Sequence, residues 1–493
     1  MSVTDSSLIR EVINAKDKLI VLMEQLEAKP KNVEYPVDEE ICGILGKINE
    51  KLDASDDEFR LFYFSGEIKN LWKMLIEKSI KCLRGFDQSE PFIQNQDKSP
   101  LAYGIDDLEK YFERYVGFES MLYGSGKYYR DHVVHVFRVW LIGLGAMLSN
   151  DMKYVSNIDI DKNFEVNIFE KISIWTLISL THDLGYPLEK AQDIVEKTKD
   201  MMKLFVASPT VNMDISFNGV QTNMNDFVLK FMSSKMKDSG DKDCPYTARL
   251  QPKYYYKFQK SLENYRHGVL SAIILYKLLI YFLESDFSIN EDYSFTLNEA
   301  RQFYIRREIL RAISSHTCTD IYHLNMHSFA FLLIVADVCQ GWGRKQISNL
   351  YLKSSSQYTL NWITMKSDGG NVCSIDEEFK INEKYENSYE TLKMAIENVL
   401  KGIHRQYEGY KIILRDGPDT NRRDFNFTKS CKISCTAKKT VNYLIKMDID
   451  KDRRACLHIL AELSNDDVEL GQAFIEKLFK NDKTVVKEQK MID

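Results

Sequence analysis

The sequence predicts a mainly α-helical protein, with a helical core, a helical N-terminal extension and a small α+β domain at the C-terminus. Three observations carry this reading. Apolar residues recur at three- and four-residue spacing through most of the first 340 positions. Several segments between 132 and 340 are apolar nearly all round, the pattern of helices buried in a core. Beyond residue 408 the texture changes to short apolar runs around turn-rich stretches.

The elements follow in chain order. Residues 4–27 place Leu8, Ile9, Val12, Ile13, Leu19, Leu22 and Leu26 at helical spacing. Residues 41–52 and 61–83 continue the pattern, with LWKMLIEKSIKCL from Leu71 as an amphipathic helix. A polar break carrying Pro91, Gln94, Asn95, Gln96 and Pro100 closes an N-terminal extension over 1–100. Residues 101–350 form the core, with helices over 101–146 (interrupted at 124–126), 175–181, 265–283, 305–315 and 327–340. Within it, 196–262 collects turn formers and lysines and reads as a partly ordered insertion, either a surface loop or a lid that contacts substrate. Residues 351–407 read as a linker and a long helix over 386–406. In 408–493, strands are expected at 410–414, 432–436 and 441–445, and helices at 455–463 and 469–479.

Composition excludes several classes. With 66 Lys+Arg against 72 Asp+Glu the net charge is −6, which disfavours a general nucleic-acid coat but leaves room for a local basic patch. The opening MSVTDSSLIR lacks the order of a signal peptide, and no apolar run approaches the length of a membrane span. Nine cysteines are scattered without a disulfide framework; only Cys431 and Cys435 are close, and no zinc-type partner spacing follows. A cytoplasmic location is the expectation. GSGK at 124–127 lacks the first glycine of a phosphate loop and is followed by Tyr128 instead of Ser or Thr.

Histidine placement carries the chemistry. Of nine histidines, seven lie between 132 and 327. His182 and Asp183 are adjacent in WTLISLTHDLGYP, His267 enters an apolar helix, His316 ends one, and Asp337 interrupts FAFLLIVADVCQGW. An ionisable group in an apolar helix needs a partner or a metal, because burial alone is costly. The ordinary alternatives are a helix-end pair for His182–Asp183 and hydrogen-bonded structural histidines elsewhere. His132, three residues before His135 and on the same face, reads as a ligand, a supporting donor or a general acid.

The ordered set DHVVH, THDLGY, YRHGVLSA, AISSH and FLLIVADVCQGWGR resembles the HD-domain superfamily of metal-dependent phosphohydrolases, in the variety with extra histidines, over roughly 125–345. The resemblance implies an all-helical HD core. It implies two divalent transition-metal ions, with His135, His182 and Asp337 on one, His267 and His316 on the other, and Asp183 bridging. The donor set suits Mn, Fe, Co, Ni or Zn better than Mg. The implied activity is hydrolysis of a phosphoester or phosphoanhydride, in a nucleotide or nucleotide-derived substrate, by a metal-activated water. Asp183, His132 and Arg344 are the candidate catalytic residues, Arg344 as a phosphate clamp. Lys127, Arg130, Arg138, Arg266 and Lys345 are further cations near the motifs, and Tyr186 would stack on a base or pack its turn. HDLGYPLEK lacks the paired histidines of the cyclic-dinucleotide branch and the extended motif of deoxynucleotide triphosphohydrolases.

Two rival readings are a signalling or assembly module that retains the core without turnover, and a metal-dependent nuclease with a basic groove. Homo-oligomerisation is expected from the amphipathic stripes at 4–27 and 67–83. His323 and His327 read as structural or solvent-facing, and His404 and His458 as surface or packing residues.

Overall fold

A computed structural model describes residues 3–26, 34–53, 64–87, 104–122, 131–149, 152–158, 160–161, 164–204, 220–284, 288–289, 293–318, 320, 326–342, 356–366, 371–381, 389–414, 425–435, 441–449, 455–464, 468–480 and 482–491. The protein is mainly α-helical, with a distinct α+β region near its C-terminus.

Three helices begin the chain: α1 (Asp5–Glu24), α2 (Glu39–Asp53) and α3 (Ser65–Gly85). Thr4 caps α1 reciprocally with Ser7, which satisfies donors that the first turn leaves open. The core follows as α4 (Ile105–Leu122), α5 (His132–Leu148), α6 (Lys153–Ser156), α7 (Ile168–Thr181), α8 (Tyr186–Met202) and α9 (Val220–Ser233). Next come β1 (Ser234–Asp238), β2 (Tyr246–Leu250), α10 (Pro252–Glu263), α11 (His267–Leu278), α12 (Ile280–Leu283), β3 (Ser294–Phe295), α13 (Leu297–Ser315) and α14 (Phe329–Cys339).

Helices α5, α7, α11 and α14 are buried on most faces, as their near-continuous apolar runs require, and α13 is buried with them although it carries Gln302, Arg306 and Arg307 among its buried residues. The amphipathic helices cover them: α1 packs on α5 and α2, and α3 packs on α7. Their stripes, including Leu8, Val12 and Leu19 on α1 and Leu71, Leu75 and Ile76 on α3, are thus buried within the chain, each such side chain contributing about 1.5–3 kcal/mol. The pattern that motivated self-association is accounted for by this packing.

The described residues of 196–262 are mostly regular structure. Helix α8 runs to Met202, and 220–262 forms α9, the hairpin β1–β2 and α10, with β3 completing a three-stranded sheet. Phe231, Met232, Met236 and Phe258 anchor it in the core. The turn-rich SGDKDCP at 239–245 is the hairpin loop, where Gly240 takes φ +79°, a conformation that glycine adopts without strain.

The α+β region starts earlier than expected. Strands β4 (Ser356–Lys366) and β5 (Asn371–Ile381) occupy much of the presumed linker, followed by α15 (Tyr389–Leu414), β6 (Phe425–Cys435), β7 (Val441–Ile449), β8 (Ala455–Leu463), a 3₁₀ turn (Val468–Leu470), α16 (Gln472–Leu478) and β9 (Val485–Met491). All six strands form one sheet in sequential order, parallel at β5–β6 and β8–β9 and antiparallel elsewhere. The expected helix at 455–463 is β8, because Leu457, Ile459, Ala461 and Leu463 are buried and alternate with His458, Leu460 and Glu462, a period of two. The expected strand at 410–414 is instead the last turn of α15, since a short apolar run is read either way by periodicity alone.

A buried ion pair lies under this sheet. Lys429 Nζ is 2.8 Å from Glu377 Oε1, both side chains are inaccessible, and the ammonium also donates to Gln406 Oε1 at 2.6 Å. Tyr358 Oη lies 2.9 Å from Glu377 Oε2 and 3.1 Å from the Cys339 carbonyl, joining the sheet to the end of α14. Removing one partner strands a buried charge. Lys429→Ala is therefore expected to cost about 3–5 kcal/mol in urea denaturation, and adding Glu377→Gln to recover a large part of it. Equal stability of the single and double variants would contradict the account.

Candidate metal centre

Every cluster side chain sits at a helix end. His132 and His135 occupy the first turn of α5, which Asp131 caps through its Val134 N–H contact at 3.0 Å. His182 and Asp183 follow α7 directly, His267 is the first residue of α11, His316 follows α13, and Asp337 lies in the last turn of α14. Five helix ends therefore converge from distant parts of the sequence.

The turn after α7 is clamped from three sides. Trp72 Nε1 donates to the Leu180 carbonyl at 2.9 Å, Tyr111 Oη donates to the Leu184 carbonyl at 2.7 Å, and the Gly185 N–H donates to Ser271 Oγ at 2.8 Å. Gly185 has no room for a side chain, since a Cβ there would lie 2.5 Å from the His267 carbonyl oxygen. That close approach brings α11, and His267 with it, against Asp183.

Asp183 divides its oxygens between two sets of imidazoles. Its Oδ2 is 3.6 Å from His135 Nε2, 3.6 Å from His182 Nε2 and 3.8 Å from His132 Nε2. Its Oδ1 is 3.2 Å from His267 Nε2 and 3.8 Å from His316 Nε2. Asp337 Oδ1 is 3.1 Å from His135 Nε2, and His267 and His316 face each other Nε2 to Nε2 at 3.1 Å. Three overlapping groups each bring their ligand atoms within 4.8 Å: His135–His182–Asp183, His182–His316–Asp337 and Asp183–His267–His316.

The outer nitrogens are held as metal-ligating histidines require. His135 Nδ1 meets Gln340 Oε1 at 2.7 Å, His182 Nδ1 the Ser179 carbonyl at 2.8 Å, His316 Nδ1 the Ile313 carbonyl at 2.5 Å, and His267 Nδ1 Glu189 Oε2 at 2.7 Å. Each of these acceptors calls for a proton on Nδ1, which points Nε2 at the centre as the ring nitrogen available to a metal. His182 Nε2 is buried and has no hydrogen-bond partner among the described residues. The donor set and this buried, unsatisfied nitrogen fit a transition-metal site.

Electrostatics follow the same geometry. Burial works against the charged form of Asp183, but His182, His267 and His316 outweigh it and hold the carboxyl well below the usual range. Burial lowers the His182 pKa despite Asp183. Glu189 also accepts the His267 backbone N–H at 2.8 Å and so caps α11 from α8. Burial opposes its charge, yet the bonds from His267 hold Glu189 at about 2; His267, likewise against burial, is pushed up to about 9 by Asp183 and Glu189.

The structure brings together all six expected ligands and His132, whose ring lies 4.2 Å from Tyr186 and 5.5 Å from Tyr115. Arg138 points elsewhere: it is buried against Asp5 and the Trp342 carbonyl, so it serves α1 and is no phosphate clamp. Arg266 is half exposed and 3.9 Å from Glu189. Arg344, Lys345, Lys127, Arg130, His323 and the GSGK stretch lie outside the described residues. His404 packs on Phe479 and bonds Asp482 at 2.9 Å. With Glu408 and Asp482 it forms a separate, partly exposed group of ligand type. Glu189 and Gln340 were missed; a glutamate one helical turn into the helix after HDLGY is the only signal the first offers. No helix among the described residues is long and apolar enough to cross a membrane.

Searches of protein-family models, curated proteins and solved structures return no match to the chain.

The coupling of Glu189 and His267 gives a pH signature in metal-free protein. His267, raised above its ordinary 6.5, adds stability that is complete below pH 6.5 and lost as pH rises toward about 9. Glu189, lowered from 4.5, adds stability that is present above pH 4.5 and lost as pH falls toward about 2. Glu189→Gln is expected to flatten both slopes in denaturant melts of chelator-treated protein and to lower the His267 pKa in an NMR titration. Unchanged slopes would contradict the coupling.

Proposed function

We propose that the chain is a metal-dependent hydrolase of a phosphoester or phosphoanhydride bond, in a nucleotide or nucleotide-derived substrate, of the HD type. The observation that carries the reading is the division of Asp183 between two imidazole sets, the arrangement a bridging carboxylate needs. In this reading His135, His182, Asp183 and Asp337 hold one divalent ion, and Asp183, His267 and His316 hold a second. Bound there, such ions would supply Lewis acidity toward phosphoryl oxygens and a water of lowered pKa. The candidate ions are Mn, Fe, Co, Ni and Zn, with Mg less favoured by a histidine-rich donor set.

The chain's own residues do the rest. Asp183, kept ionised, fixes the imidazoles around it without spending a proton. Gln340, Ser179, Glu189 and Ile313 hold the four Nδ1 protons and so orient the Nε2 lone pairs. His132, buried between Tyr115 and Tyr186, is the proposed general acid, its Nε2 delivering a proton to the leaving oxygen. Tyr186 packs between His132, His267 and the Lys190 ammonium at the edge of the centre. Arg344 is the proposed clamp on non-bridging phosphate oxygens. The order HDLG…H…H…D and its convergence at helix ends support the HD assignment over a nuclease or a module without turnover.

The test is metal content and turnover together. Asp183→Ala is expected to lose more than one ion per chain by elemental analysis and to abolish phosphate or nucleotide release from a nucleotide panel. His267→Ala is expected to lose mainly one ion and at least a hundredfold in rate, roughly the scale of a damaged metal site. His458→Ala should change neither. Metal-loaded wild type that turns over no member of the panel with any of the candidate ions would contradict the reading.

A further inference from the structure

His135 is held through a chain of polar contacts that ends on the N-terminal helix. Its Nδ1 faces Gln340 Oε1 at 2.7 Å. A glutamine amide presents either its oxygen or its nitrogen, and only the oxygen fixes a proton on Nδ1. The choice is made on the far side, where Gln340 Nε2 donates to the Trp342 carbonyl at 2.7 Å. That carbonyl also accepts from Arg138 Nη1 at 3.0 Å. Arg138 in turn is fixed by Asp5: Nε donates to Oδ1 at 2.9 Å and Nη2 to Oδ2 at 2.7 Å. The indole of Trp342 closes the circuit by donating to Asp5 Oδ1 at 2.9 Å.

These groups are nearly dry. The side chains of Arg138 and Asp5 are 2% and 11% exposed. A buried guanidinium without its carboxylate would seek other acceptors, and the Trp342 carbonyl and Gln340 lie within that circuit. Asp5 also sits in the first turn of α1, where the helix dipole favours an anion, but that alone asks for no bidentate partner on α5.

We propose that Asp5 is a positioning residue for the metal centre: through Arg138 and Trp342 it sets the Gln340 amide, and through that amide the tautomer and ring orientation of His135. The N-terminal extension is then part of the site's support. The metal side of this inference rests on the function proposed above; the tautomer side stands apart from it.

The test uses the full chain and two readouts. Mn²⁺ affinity, measured against a chelator, is expected to fall about tenfold in Asp5→Ala and in Gln340→Ala, the scale of losing an outer partner of a metal-bound histidine. The double variant should bind no worse than Gln340→Ala alone, because both act through one amide. Leu19→Ala, which removes a buried apolar contact of the same helix, should lower thermal stability and leave affinity unchanged. Additive losses, or an equal loss in Leu19→Ala, would overturn the proposal. The second readout is the ¹⁵N shifts of the His135 ring in metal-free protein, assigned against His135→Gln. With Asp337 Oδ1 facing Nε2 at 3.1 Å, the readout is Nδ1 alone: it should carry a proton in wild type and lose it in part in Asp5→Ala. Should wild type bind none of Mn²⁺, Fe²⁺, Co²⁺, Ni²⁺ and Zn²⁺, the hydrolase reading fails, and an unaltered His135 signature in Asp5→Ala would separately overturn the positioning role. Asp5→Asn, which keeps one acceptor oxygen, provides the same two measurements with an intermediate loss if Asp5→Ala does not fold.

Discussion

An ionised carboxylate with about 4% of its surface exposed, ringed by five imidazoles, is the constraint on which the rest of this structure depends. Burying Asp183 alone would be prohibitive, and the fold answers with imidazoles from its own helix end and from the ends of α5, α11 and α13. The bodies of α5, α7, α11 and α14 are apolar and pack as an ordinary core. Their ends and that of α13 carry the histidines and carboxylates, with backbone carbonyls at Ser179 and Ile313 available to hold Nδ1 protons. The chemistry is thus concentrated at the ends of the helices: the first or last turn of each, or the residues directly after it, supplies the ligand.

The supports of this centre come from outside the five helices as much as from within. Trp72 on α3 and Tyr111 on α4 fix the carbonyls that flank His182 and Asp183. Glu189 on α8 caps α11 and holds His267. Tyr358 on β4 reaches the Cys339 carbonyl, two residues from Asp337, and itself touches the buried Glu377–Lys429 pair. Both flanking regions therefore make polar contacts with the segment that carries Asp337 and Gln340. This gives the N-terminal helices and the C-terminal sheet a physical connection to the cluster. A cavity of about 540 Å³ on the other face of that sheet, lined by Asp376, Glu378, Ser430, Lys432 and His458 among others, contains none of the cluster residues.

Much of this was legible in the sequence because the signals were strong and local. Polar ionisable residues inside apolar helical runs marked His182, Asp183, His316 and Asp337, and these converge as expected. Helical periodicity located α1, α3, α5 and α13. What escaped was of two kinds. Short segments with few periods were ambiguous: 455–463 fits helix and strand templates alike, and only the pairing of β8 with β7 and β9 decides it. Long-range partners were invisible, since nothing local to Gln340 or Glu189 says which imidazole each will face. Arg138 shows the same limit, because its neighbourhood to His135 along α5 gave no hint that the guanidinium turns to Asp5.

The proposed hydrolase requires the two oxygens of Asp183 to serve two metal ions. Anomalous X-ray diffraction from crystals of the Mn²⁺-loaded protein tests it most directly. The account predicts two peaks about 4 Å apart, one on the His135–His182–Asp337 side and one on the His267–His316 side, each about 2.0–2.3 Å from an Asp183 oxygen. No peak at the cluster, or a single ion that Asp183 does not contact, would contradict it.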